Sequence, residues 1–345
     1  MRYTNVHIDA IGYHLPPVVV TSSELEARLT SVYSLLHIPL GQLESMTGIL
    51  ERRWWEEGYS LSQGAAAAGK KALEQAGIHG EEIEALIYAG VCREQFEPAT
   101  ACRVALELGV HPSAAVYDLS NACLGVLNGM IEIANRIELG QIRAGLVVTC
   151  ETARDIVDNI IKKMIQYPTL ELFRESFATL TGGSGAAAVL LSDGSFANTR
   201  RRLLGGVTQT APEHHDLCRW GVEQANGHLD EFMRTDSTGV LKHGVVLGTE
   251  TWHAFCGQLG WTTEVVDKVI CHQVGVAHQE TILETLNIAP EKDFSTFSHL
   301  GNVGTASLPM TAAIAEERGV LQPADRVAWL GIGSGLNCLM LGFEW

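Results

Sequence analysis

YDLSNACLGVLNGMIEIANRIELG, residues 117–140, is the stretch on which the reading of this chain turns. Just ahead of Cys123, AAVYDLS reads as a short buried strand. Behind it, Leu124, Val126, Leu127, Met130, Ile131, Ala134 and Ile137 fall on one face at helical spacing, so a long amphipathic helix is expected. Cys123 then stands at a strand-to-helix turn, in the first turn of that helix. Unpaired N–H groups and the helix dipole favour a thiolate at such a position. The same amides can donate to an oxyanion on the group under attack. The competing reading is a small buried hydrophobe, the commonest fate of a free cysteine. The rest of the chain has to decide between them.

With 345 residues, 46% of them hydrophobic, the chain can bury a large core. Thirty-five glycines and only 19% charged residues suit an α/β protein with buried strands and tight turns. A net charge of −16, with no like-charged run beyond Arg200–Arg202, argues against nucleic acid as a partner. The eight cysteines form no CxxC pair and no metal-ligand spacing with histidine, so neither a metal nor a disulfide framework is expected. The opening MRYTNVHIDAIGYHLP reads as a first strand, not as a signal peptide, and no apolar run has the length of a membrane span. A cytoplasmic protein with free thiols follows. Cys92, Cys102, Cys150, Cys256, Cys271 and Cys338 sit in apolar contexts and are expected in the core.

Strand and helix patterns alternate along the chain. The first half runs through a helix near 62–77, the strand EALIYAGV, a helix near 98–108, the Cys123 unit, the strand RAGLVVTCE and the strand GSGAAAVLLSD. Between the last two lies 155–180, amphipathic and interrupted by Pro168, which reads as a helical insertion over the core, either a surface cap or a lid over an apolar ligand pocket. GGSG at 182–185 is a tight turn and not a phosphate cradle, because no lysine and no helix follow it. The second half repeats the order: RRLLGGVTQT, a helix from about 243, DKVICHQ, a helix, a glycine-rich turn into another helix, then RVAWLGIGSG and NCLMLGFEW. Two similar α/β halves, 1–195 and 196–345, are expected about a pseudo-twofold axis, with largely parallel strands. The Cys123 helix and the helix after Asn302 are then counterparts.

In such a pair of halves, reactive groups gather at strand ends near the axis. Cys123 follows one strand, His272 ends VICHQ, and Asn302 lies in SHLGNVGTAS. A thiol needs a base to become a good nucleophile, and neutral histidine is its usual partner. An asparagine amide can donate to a developing thioester oxyanion, which a carboxylate cannot.

NAC at a helix start, HQ at a strand end, GN before a glycine-rich helix, a closing GIGSG strand and TGILERR near residue 50 resemble the thiolase-fold condensing enzymes, β-ketoacyl-ACP synthase III and its kin. The resemblance spans essentially the whole chain and implies a layered α-β-α-β-α fold. It makes Cys123 the acylated nucleophile, His272 and Asn302 the second part of the site, and the amides of Cys123 and Ser334 the oxyanion hole. Two departures refine it. HQVG replaces the usual HQAN, and REQFEPATA places Glu97 where synthase III has an apolar residue reaching across the dimer interface. EPATA, SNACLGVLNGM, ETARDIV and LGIGSGLNC are similar to the OleA type, which joins two fatty acyl-CoA thioesters in long-chain olefin biosynthesis. That resemblance implies a homodimer, acyl-CoA as substrate and no other cofactor.

Chemistry bears on the distinction. A malonyl thioester generates its carbanion by losing CO₂, whereas a plain acyl-CoA needs a base at its α-carbon. Glu97, between Phe96 and Pro98, is the expected base, acting in trans, with Glu94 its rival. Arg52, Trp54 and Gly304 are expected at the substrate, the first two against the CoA adenine and phosphates. The alternative is a decarboxylative synthase III fed by an acyl-carrier protein, docked on a basic patch such as Arg200–Arg202 or Lys162–Lys163. An acyl-binding subunit without turnover, working beside downstream pathway enzymes, is a third option. A thioesterase-like hydrolase is a fourth.

Overall fold

A computed structural model of the chain describes residues 1–196, 201–225 and 228–345. Among the described residues the strands are β1 (His7–His14), β2 (Val18–Thr21), β3 (Glu51–Trp54), β4 (Ala85–Ala89), β5 (Ala115–Leu119), β6 (Ala144–Glu151), β7 (Gly185–Ser192), β8 (Arg202–Thr210), β9 (Cys218–Ala225), β10 (His228–Thr235), β11 (Lys268–Cys271), β12 (Arg326–Gly333) and β13 (Asn337–Glu344). The helices are α1 (Ser22–Arg28), α2 (Thr30–Leu35), α3 (Gln42–Thr47), α4 (Leu61–Ala76), α5 (Thr100–Leu108), α6 (Gly125–Glu138), α7 (Arg154–Gln166), α8 (Leu170–Ser176), α9 (Ser237–Leu259), α10 (Val276–Thr285), α11 (Phe297–Leu300) and α12 (Ser307–Glu317).

Nine strands join into one sheet in the order β11-β12-β13-β8-β1-β7-β6-β4-β5. Its centre is the antiparallel meeting of β1 and β8, where His7 pairs with Arg202 and the Ile8 amide donates to Arg201 O at 3.0 Å. Outward from that line the first half lays down β1, β7, β6 and β4, and the second half β8, β13, β12 and β11. The first half adds β5 at its edge; the second has only a bridge between Val269 and Asp293 there.

The expectation of largely parallel strands is corrected. Only β4–β5, β4–β6 and β11–β12 are parallel, while β1–β7, β6–β7, β12–β13, β8–β13 and β1–β8 are antiparallel. β13 folds back on β12 through the short turn at 334–336, a tight reversal that makes antiparallel neighbours, while β7 returns antiparallel to β6 after the segment that carries α7 and α8.

Packing gives five layers. α4 and α5 cover the outer face of the first half, with Ala65, Ala68 and Ala72 against Leu86, Leu146 and Val148. The small side chains of α4 let β1 approach closely, and a Cβ on Gly12 would strike the α4 backbone at Ala68 and Ala72. α6 and α12 lie between the halves in one core containing Leu127, Met130 and Leu308 with Ile87 and Trp329. α9 and α10 close the far side through Phe255 and Leu283. Segment 155–180 forms α7 and α8, which pack on α1 and α2 around Leu25, Tyr33, Ile160 and Phe173. Cys92, Cys150, Cys271 and Cys338 are buried as expected, but Cys102 on α5 is exposed and Cys256 half-buried, because each faces outward from its helix.

Candidate active site

The turn between β5 and α6 carries Cys123. Ala122, with φ of 45°, takes the left-handed conformation that alanine avoids, so the chain reverses sharply just before the thiol. An amide chain holds the turn: Asn337 Nδ2 donates to Asn121 Oδ1 at 3.1 Å, and Asn121 Nδ2 to Asn128 Oδ1 at 2.8 Å. The expectation that this position favours a thiolate is corrected. Helix α6 starts at Gly125, beyond the cysteine; the Leu124 amide turns back to Asn121 O at 2.9 Å, and the Val126 amide is taken by Thr305 Oγ1 at 2.7 Å. Burial therefore dominates and pushes the Cys123 thiol up to about 12, with Cys218 and Glu151 adding to it. Burial thus favours the protonated thiol at Cys123.

His272 follows β11, its amide bound to Leu330 O at 2.9 Å. Desolvation, and secondarily His278, pull its imidazole down to about 4, which favours the neutral ring. Asn302 is oriented from both sides. Its amide donates to Thr181 O at 2.9 Å, its carbonyl accepts from Gly183, and its Oδ1 accepts the Gly304 amide at 3.0 Å. With Oδ1 occupied, Nδ2 is the group left to donate. Glycine at 183 is required because a Cβ would collide with Leu300 O. At the end of β12, a Cβ on Gly333 would lie 3.4 Å from the Cys123 amide, which puts the backbone before Ser334 against the nucleophile turn.

Cys123, His272, Asn302 and Ser334 all line one cavity of about 400 Å³. Its walls are apolar and include Val245 of α9, Met233 of β10, Phe177 after α8 and Ile282 of α10. Sequence reading missed the β9–β10 hairpin, the first two turns of α9 and the cavity-lining Cys218. The alternation in CRWGVEQA was the available signal for the hairpin. The insertion does reach the cavity, through Phe177, Ala178 and Thr181. Among the described residues no aspartate or glutamate lines it, and no cluster of three metal-ligating side chains occurs.

Glu97 is outside that cavity, exposed on the loop between β4 and α5 beside the fully exposed Phe96. Both ends of the loop are fastened. Glu151 accepts the Val91 and Cys92 amides, and Asp118 accepts those of Thr100 and Ala101, all between 2.9 and 3.1 Å. Glu94, the rival base, is engaged by Ser60 Oγ at 2.8 Å and the Ser62 amide at 2.9 Å, where it caps α4.

Contact of Arg52 and Trp54 with CoA is corrected. Arg52 is fully buried, its guanidinium on Val20 O and Ser22 Oγ, and Trp54 is buried with Nε1 on Gly182 O. β3 faces them inward, so neither offers a surface to a ligand. Gly304, with φ of +54°, also turns away from the cavity, its Cα side packed on Glu151. Of the basic residues weighed as a carrier-protein dock, Arg200 lies outside the described residues, Arg201 is buried on Glu316, and Lys163 pairs with Asp230 at 2.9 Å.

Two related halves that bring a turn-borne cysteine, a neutral histidine and an oriented asparagine onto one apolar cavity define a thiolase-fold acyltransferase. Residues 45–171 match the thiolase N-terminal domain family, and residues 256–345 the 3-oxoacyl-[acyl-carrier-protein] synthase III C-terminal family. The chain is 55% identical over the full length of both chains to an acyl-CoA:acyl-CoA alkyltransferase of Shewanella oneidensis. It superposes on the cerulenin-bound crystal structure of Xanthomonas campestris OleA with a TM-score of 0.94, at 37% identity, covering 100% of this chain and 98% of that one. Other crystal structures of that protein carry substitutions at a cysteine, a histidine and a glutamate, one of them with bound lauric acid and lauroyl-CoA. A β-ketoacyl-[acyl-carrier-protein] synthase III of Bacillus cereus is more distant, 29% identical over 99% of both chains. The chain belongs to the acyl-CoA:acyl-CoA alkyltransferase (OleA) family.

Proposed function

We propose that the chain joins two fatty acyl-CoA thioesters by a non-decarboxylative Claisen condensation. The observation that carries this reading is an apolar cavity holding nucleophile, imidazole and amide donor but, among the described residues, no carboxylate. A plain acyl-CoA cannot form a carbanion there without a base supplied from elsewhere. Glu97, exposed on a loop fastened at both ends, is the candidate for that base, reaching the cavity of a second copy. In the Xanthomonas protein the substituted glutamate precedes the substituted cysteine by the same number of residues that separate Glu97 from Cys123.

Cys123 attacks the first thioester while His272 takes its proton, and the amides of Cys123 and Ser334 hold the oxyanion. CoA leaves as its thiol, taking that proton from His272, and the acyl chain lies along α9. The second thioester oxygen rests on Asn302 Nδ2 and His272, and the partner subunit's Glu97 removes the α-proton. The carbanion attacks the acyl-cysteine, the C–S bond breaks, and the product is a 2-alkyl-3-ketoacyl thioester, hydrolysed to the β-keto acid. The active form is a homodimer in the cytoplasm with no cofactor beyond the CoA of its substrate, and the halves 1–195 and 196–345 each contribute part of the site.

The test is incubation with myristoyl-CoA alone, with mass spectrometry of protein and products. Wild type is expected to form β-keto acid, or the ketone left by its decarboxylation. Glu97→Ala is expected to acylate Cys123 and stop. Condensation that begins only when malonyl-ACP is added would return the chain to the synthase III type.

A further inference from the structure

Glu151 closes strand β6 as a carboxylate only 4% exposed, and among the described residues no cation pairs with it. Burial raises the pKa of this group and disfavours its charged form, and the hydrogen bonds it accepts oppose that shift. Here the donors are two successive backbone amides. Oε1 accepts Val91 N at 3.0 Å and Oε2 accepts Cys92 N at 3.1 Å. The Tyr88 hydroxyl completes the clamp, its single proton shared between Cys92 O and Cys150 O, each at 2.8 Å. Residue 92 is thus gripped by its amide and its carbonyl at the root of the loop that carries Glu97.

The other side of the carboxylate bears on the asparagine turn. A Cβ at Gly304 would lie 3.4 Å from Glu151 Cγ and 3.6 Å from its Oε1. The Gly304 amide is the donor that orients the Asn302 side chain. One buried side chain therefore bonds the root of the base loop and fills the space beside the turn that aims the amide, where a Cβ on Gly304 would meet it. None of the chemical steps above employs it.

We propose that Glu151 is a positioning residue for carbon–carbon bond formation, fixing the root of the Glu97 loop in register with the Asn302 turn. This rests on the reading of Glu97 as the base. Glu151→Gln is the discriminating variant, because it keeps the shape but points an N–H at one of the two amide donors. Misplacement of a reacting group by about 1 Å costs on the order of 100-fold. Condensation of myristoyl-CoA is therefore expected to fall about 10- to 100-fold, with acylation of Cys123, read by intact-protein mass, within about twofold of wild type. Tyr88→Phe is expected to show the same split at smaller size. Amide exchange should rise in the peptide spanning 91–98 and stay unchanged in α6 and α12.

Co-assembly of differently tagged subunits adds a test in trans. A Glu151→Gln subunit paired with a Cys123→Ala subunit should regain part of the lost condensation, since the intact loop then serves the intact cysteine while the Asn302 turn beside that cysteine stays perturbed. Wild-type condensation in Glu151→Gln, an equal loss of acylation and condensation, or unchanged exchange at 91–98 would each overturn the proposal. The control pair, Glu97→Ala with Cys123→Ala, isolates the underlying reading: its failure to condense removes the trans base, whatever Glu151→Gln does.

Discussion

At Cys123 two effects oppose each other, and burial wins over the helix terminus because the nearby amides are already bonded. The thiol, pushed up to about 12, should hold almost no thiolate at neutral pH. Its alkylation by iodoacetamide, followed on the Cys123 peptide, is expected to climb about tenfold per pH unit from about 7 to 10 without levelling. A plateau below about pH 8.5 would show a pre-formed thiolate instead. His272 gives a stability prediction. Its folded value, about 4, lies below the ordinary 6.5, so the unfolded chain binds the extra proton between them. The stability it contributes is full above about 6.5 and is lost as pH falls toward about 4. Denaturant titrations across that range should show a steeper loss for wild type than for His272→Asn.

Among the elements, α6 and α9 show what local sequence encodes and what it does not. Helix α6 was legible because its apolar stripe is continuous, and the meeting of Cys123, His272 and Asn302 on one cavity was expected because each lies in a turn beside a strand or a helix. The capping of α6 by Thr305 was not, since it comes from the other half of the chain. Thr305→Val should cost about 1 kcal/mol of helix stability and slow Cys123 acylation, whereas Thr305→Ser should restore both. In α9, Gly244 and Gly248 sit one turn apart on the cavity wall. Glycine within a helix costs up to about 1 kcal/mol relative to alanine, so local propensity argues against them and the cavity accounts for them. Gly248→Leu should shorten the longest acyl-CoA accepted, measured across a chain-length series, without lowering the melting temperature. The mixed strand directions were hidden for the same reason: each strand's own residues say that it is buried, not which neighbour it meets.

For the whole molecule, the decisive question is where the apolar tip of the 91–99 loop goes. Phe96 is fully exposed next to Glu97, while the loop around it is fastened by Glu151, Glu94 and Asp118. A large aromatic held out in water by a well-anchored loop is a poor arrangement for a monomer and a good one for an interface anchor. The edge strand β5, which leads to Cys123, has no neighbour on its outer side among the described residues. Together these put the loop and the nucleophile turn on the same flank, which is what exchange of Glu97 between two copies requires. Light scattering should give twice the 37.4 kDa chain mass for wild type. Phe96→Asp, which buries a charge if the tip enters a partner, should shift the protein toward monomer at micromolar concentration and abolish condensation. Acylation of Cys123 depends only on groups of its own chain and should persist in that monomer if its fold holds. A Phe96→Asp protein that remains dimeric and condenses normally would show that the tip lies outside the interface, and the base would then have to be sought elsewhere.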